Sequence, residues 1–81
     1  MKLYNYFRSS ASFRVRIALA LKGLDYDYLP VHLQRNEQSA PAYAALAPSR
    51  LVPLLVDGEA RLAQSLAIIE YLEERFPQPR L

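Results

Sequence analysis

The chain has 81 residues, 52% of them hydrophobic, a net charge of +2, one histidine and no cysteine. This is one small domain with enough apolar content for a core and too little positive charge to argue for nucleic acid. It has no disulfides, no thiolate metal site, no Cys-x-x-Cys redox pair and no histidine cluster for a metal, and no apolar run approaches the roughly 20 residues needed to cross a bilayer.

Residues 2–7 alternate loosely and are rich in tyrosine, which predicts a strand. Ser9-Ser10-Ala11-Ser12 follows, and Ser10 or Ser12 is expected to cap a helix. In that helix Phe13, Ile17 and Leu21 form one row at helical spacing, and Val15, Ala18 and Leu19 a second. Together they predict a broad buried face, closed at its end by Gly23. Residues 25–33 have the pattern of a second strand, with Pro30 arguing for an edge position. Residues 35–39 are polar loop. Residues 40–47 predict a short helix with Ser39 as cap, Pro41 in its first turn and Pro48 just past its end.

Residues 53–56 predict a third strand, Asp57-Gly58 a hairpin turn, and residues 59–63 the returning strand. Gln64-Ser65 opens the last helix, whose Leu66, Ile68, Ile69, Leu72 and Phe76 are expected to face inward until Pro77 stops it. The order is β-α-β-α-β-β-α. A βαβ unit sets its strands parallel with a right-handed crossover, and the hairpin adds an antiparallel pair. The expectation is therefore an α/β, thioredoxin-like domain over residues 1–81, a four-stranded mixed sheet flanked by helices.

The chemistry concentrates at the first strand-to-helix junction. A helix start offers unpaired backbone N–H groups and a partial positive charge, so Ser9 and Ser10 can cap the helix or hold an anion. Such a place also lowers the pKa of a thiol. The chain has none of its own, so a thiol reacting here arrives on a ligand. Ser65 has the same two readings, helix cap or part of a first turn that receives a carboxylate. Lys2, Arg8, Arg14, Arg16 and Lys22 all precede the first acid, Asp25. An acid-free start of this kind fits a transit peptide or a basic patch for a small anionic substrate, and its strand–turn–helix pattern favours the patch. Arg8, beside the two serines, is the best placed to grip a carboxylate, whereas Arg14 and Arg16 read as surface or inter-domain pairs. Tyr4 and Tyr6 read as sheet packing.

Four segments carry a resemblance: Tyr6-Phe7-Arg8-Ser9-Ser10, the run from Phe13 to Gly23, Val52-Pro53, and the run from Gln64 to Leu72. In these the chain resembles the amino-terminal domain of zeta-class glutathione transferases, the class of maleylacetoacetate isomerase and the bacterial maleylpyruvate isomerases. The resemblance implies a glutathione cofactor. It makes Ser9, with Ser10 beside it, the hydroxyl that supports the glutathione thiolate; Arg8, at the strand end beside that thiolate, is then the best candidate for steering a dicarboxylate substrate. Val52 would pair its backbone with the cysteinyl part of glutathione ahead of a cis Pro53. Gln64 and Ser65 would hold the γ-glutamyl carboxylate, and His32 and Gln38 could contact the ligand from the second strand's end and the loop after it.

The chemistry implied is addition of the thiolate to a maleyl double bond, rotation about the saturated bond, and elimination to the trans product, without a metal. Conjugation of electrophiles without isomerisation is a weaker alternative, and a non-catalytic thioredoxin-like interaction module is the main rival. The resemblance further implies a cytoplasmic homodimer with no nucleic-acid or membrane partner. It also implies a helical domain that would normally follow and is expected to be absent from this chain, which then exposes apolar surface and self-associates. The sequence departs from the family at Ala11 in place of cysteine, Phe13 in place of tryptophan and Leu51 in place of glutamine.

Overall fold

The computed structural model describes residues 1–32, 35–47 and 52–81. Four strands, β1 (Lys2–Asn5), β2 (Asp27–Pro30), β3 (Leu54–Asp57) and β4 (Ala60–Ala63), form one sheet in the order β2-β1-β3-β4. β1 runs parallel to β2 and antiparallel to β3, and β3 runs antiparallel to β4. Three helices complete it: α1 (Ser10–Leu21), α2 (Pro41–Leu46) and α3 (Ser65–Arg75). This is the thioredoxin-like order expected from the sequence, and Pro30 lies in an edge strand where its missing N–H costs the ladder nothing.

Alternation along the strands divides the core into two layers. Leu3 and Leu55 join Val15, Ala18, Leu19, Ile68 and Leu72 between the sheet and the α1–α3 pair. On the opposite face Leu54 joins Val31, Tyr43 and Ala47 under α2, where Tyr4 packs its ring 5.5 Å from that of Tyr43. Burial of the Tyr43 phenol, with Tyr4 beside it, pushes its pKa up to about 12.

Several expectations are corrected. β1 stops at Asn5, two residues early, because the chain turns there, with the Ser9 N–H donating to the Tyr6 carbonyl at 3.0 Å. β2 is shorter than expected, and a 3-10 turn, Glu37–Ser39, lies within the expected loop. The α2 cap is Ala40, with no side-chain bond, in place of Ser39. The hairpin turns one residue later than expected: Asp57 pairs with Ala60, so Gly58 and Glu59 form the loop, with Gly58 at φ +61.

Only one of the two apolar rows of α1 is buried. Phe13, Ile17 and Leu21 are 56%, 42% and 63% exposed, and Leu66 of α3 is 70% exposed. A helix lying on a sheet buries one stripe, and Val15, Ala18 and Leu19 are that stripe. The predicted strand extension to 33, the stop at Pro48 and Leu51 lie outside the described residues.

The end of α1 is tightly built. Gly23, at φ +65, donates its N–H to the Ala20 carbonyl and Leu24 donates to Leu19, the paired bonds of a Schellman close. Just before it, the Lys22 side chain is completely buried. Its ammonium donates to Glu73 Oε1 at 2.9 Å, the Phe76 carbonyl at 2.6 Å and the Pro79 carbonyl at 2.7 Å. A lysine has three protons to give, and all three are matched. The other Glu73 oxygen accepts the Leu81 N–H at 3.0 Å. Lys22, then that N–H, hold the Glu73 carboxyl below its ordinary range.

Candidate functional site

Strand register gathers the predicted residues at one end of the sheet. Tyr4 pairs with Leu54, so continuing the antiparallel ladder sets Asn5 beside Pro53, and Leu54 pairs with Ala63, which brings Gln64 beside Pro53 in turn. β2 leaves the sheet at the same end, where the Val31 N–H donates to the Asn5 carbonyl at 2.8 Å, and His32 follows. Ser9, His32, Val52-Pro53 and Gln64-Ser65 thus rise from four neighbouring chain segments at one rim. Val52–Pro53 is a cis bond, with Val52 half-buried and Pro53 buried.

Ser9, and neither Ser10 nor Ser12, is the cap of α1. Its Oγ accepts the Ser12 N–H at 3.1 Å, and its backbone is extended. Ser12 is buried and its Oγ accepts the Tyr6 N–H at 3.4 Å, closing the turn from inside. Ser10 is an exposed first helical residue. Capping uses only a lone pair of the Ser9 hydroxyl, so its proton remains available to a ligand.

The start of α3 contrasts with this. Ser65 does not cap it: Ser65 is buried as the first helical residue, and the cap position is Gln64, which makes no side-chain capping bond. The first-turn N–H groups therefore face the rim without a side-chain acceptor, which is the arrangement that receives a carboxylate. Gln64 is held at φ 70, a left-handed conformation costly for a residue with a Cβ. The exposed Gln64 side chain is thereby set at the rim.

Around these lie polar atoms with no protein partner. His32 Nδ1, Gln38 Oε1 and the Tyr6 hydroxyl are each buried and unbonded. The His32 ring sits 5.5 Å from Tyr6 and 6.5 Å from Phe7, while its backbone N–H donates to Glu37 Oε1 at 2.7 Å. Arg8 is exposed, its guanidinium 5.3 Å above the Phe7 ring, free to meet an anion. Arg14 is exposed, but Arg16 turns back and donates to the Phe7 carbonyl at 3.3 Å, a contact for which the sequence holds no signal. A cavity of about 300 Å³ lies elsewhere, between α2 and the β1–β2 pair, and none of the predicted site residues lines it. Among the described residues no group of histidine and carboxylate side chains is arranged to hold a metal.

Residues 1–74 match the family described as glutathione S-transferase, N-terminal domain. The chain is 64% identical over 84 residues to maleylacetoacetate isomerase of Pseudomonas aeruginosa, a match that covers all of this chain and 40% of that protein. It is 58% identical to a zeta-class glutathione S-transferase of Euphorbia esula over 96% of this chain and 35% of that one. A holo structure of a bacterial maleylpyruvate isomerase of the zeta class superposes with a TM-score of 0.92 at 56% identity, over 98% of this chain and 37% of that chain. The chain therefore spans two fifths or less of the length of these relatives.

Proposed function

The chain belongs to the glutathione S-transferase N-terminal domain family, and we propose that it is the part of a glutathione-dependent cis–trans isomerase of maleyl compounds that holds the tripeptide. The observation that carries this is the Ser9 hydroxyl, fixed as a helix cap by its acceptor side with its proton uncommitted. A maleylacetoacetate isomerase bearing malonate and GSH has the same fold, with a TM-score of 0.87 at 48% identity over 91% of this chain and 35% of that one.

The residues at the rim fit the group. Ser9 would donate to the sulfur, and the start of α1 adds a partial positive charge worth roughly 0.3–1 kcal/mol to an anion there. The Val52 backbone would pair with the cysteinyl unit. The uncapped first turn of α3, with Gln64 and Ser65, would take the γ-glutamyl carboxylate, and His32 Nδ1 and Gln38 Oε1 would gain the partners they lack in the protein. Arg8 would steer a dicarboxylate to the sulfur. Glutathione supplies the sulfur nucleophile for the cis-to-trans change. The proposal includes a cytoplasmic, homodimeric parent, which accords with a cysteine-free chain and with the exposed Phe13, Ile17 and Leu21.

The test is retention of the chain on immobilised glutathione and release by free glutathione, followed by turnover of maleylacetone with and without the cofactor. Weak retention and poor turnover are expected of the chain alone, and glutathione-dependent isomerisation of the full-length parent. Indifference to millimolar glutathione would identify a non-catalytic interaction module instead. Conjugation of a chloroaromatic substrate without maleylacetone turnover would identify a plain transferase.

A further inference from the structure

We propose that Arg16 is the positioning residue of the Phe7–Ser9 turn, and that it sets the aim of Ser9 and Arg8 without touching the ligand. The role rests on the glutathione reading above, but its geometry stands independently. The guanidinium reaches back along α1 to the Phe7 carbonyl at 3.3 Å. It lies 5.6 Å from the Phe13 ring and 6.0 Å from the Tyr28 ring, one from α1 and one from the edge strand β2. Its Nε is buried without a hydrogen-bond partner. Two exposed aromatics thus serve as the walls that hold a planar cation in place.

Phe7 is the residue through which this hold spreads. Its ring meets Tyr6 at 5.1 Å and His32 at 6.5 Å, and carries the Arg8 guanidinium at 5.3 Å. Ser9 is two residues on, tied to Tyr6 by its own N–H. Fixing the Phe7 carbonyl therefore restrains Arg8 and Ser9 through the chain and His32 through the ring. A lysine would keep the charge but lose the flat contact with two rings and the fixed direction of its donor. Charge alone and positioning are therefore separable.

The experiment compares the wild-type chain with Arg16→Lys and Arg16→Met, with the exposed Arg14→Lys as control. The first readout needs no ligand: amide exchange of Ser9 and Ser12, whose N–H groups close the turn. Both Arg16 variants should exchange about tenfold faster there, with unchanged rates in β3 and α3 and no change in the control. The second readout is the pH titration of glutathione thiolate absorbance on the protein, alongside affinity for S-methylglutathione. Arg16→Lys should raise the thiolate titration by about half a unit, roughly a threefold loss of thiolate at neutral pH, while S-methylglutathione binding stays within about twofold.

Unchanged Ser9 and Ser12 exchange in Arg16→Lys would overturn the positioning role. So would full rescue of the thiolate by lysine with loss only in Arg16→Met, which would mark a purely electrostatic role. Should wild type bind no S-methylglutathione, the functional reading fails, and the exchange data still decide Arg16. If the Arg16 variants lose the fold, Tyr28→Leu, which removes one wall, should give a smaller acceleration confined to the same two amides.

Discussion

The two ends of α1 solve opposite problems. At its carboxyl end the polar groups around Lys22 close on one another, with three ammonium protons meeting three acceptors and the helix ending in a Schellman close. At its amino end the turn is braced, yet the Ser9 proton, His32 Nδ1 and the Tyr6 hydroxyl are left over. Buried polar atoms without partners are costly, so a protein that satisfies one end so fully and leaves the other open has kept the open end for something outside itself. The closed end holds the domain together, and the open end is the one the proposed function assigns to glutathione.

This contrast breaks most visibly at Lys22. Lys22→Met leaves two carbonyls and Glu73 without their donor, and unfolding in urea should show a loss of about 3 kcal/mol, with glutathione affinity of the folded fraction unchanged. A parallel loss of affinity would mean that the ends are not independent.

Ser9 is next, and two substitutions divide its duties. Ser9→Ala should cost about 1 kcal/mol of stability through the lost cap, whereas Ser9→Gly should cost only a few tenths. Both should lower the bound thiolate fraction at neutral pH about tenfold, because both lack the hydroxyl. If glycine restored the thiolate along with stability, the donor role of Ser9 would be gone.

The smallest effect is the pH dependence of the closed end. The folded-state pKa of Glu73 is lowered by Lys22, then by the Leu81 N–H, with Arg80 also facing it. Its contribution is therefore present above the ordinary carboxylate pKa and lost as pH falls through the lowered value. The stability difference between wild type and Glu73→Gln should be constant near neutrality and shrink toward zero in acid.

Element order, the parallel β1–β2 pair and the β3–β4 hairpin were legible because they rest on periodicity and on turn residues, which are local. Which of two apolar rows of α1 would be buried was not. Phe13, Ile17 and Leu21 have the same spacing as a core stripe, and only the placement of the sheet selects Val15, Ala18 and Leu19. The cap was misplaced among three near-equivalent serines because the Tyr6-to-Ser9 turn, a feature of the chain before the helix, decides it. Lys22 and Arg16 gave no signal at all. A lysine or arginine in a helix reads as solvated, and their partners lie in other elements. The candidate site residues were named through the resemblance more than through spacing, since a serine before a helix is an ordinary cap.

The partners of Lys22 lie 51 to 57 positions further along the chain. During synthesis, β1, α1 and β2 emerge with a cation whose resting place has not yet been made. The buried ammonium gains its acceptors only once residues 73–79 have been made, so the final packing of the first helix's carboxyl end depends on a segment synthesised long after it.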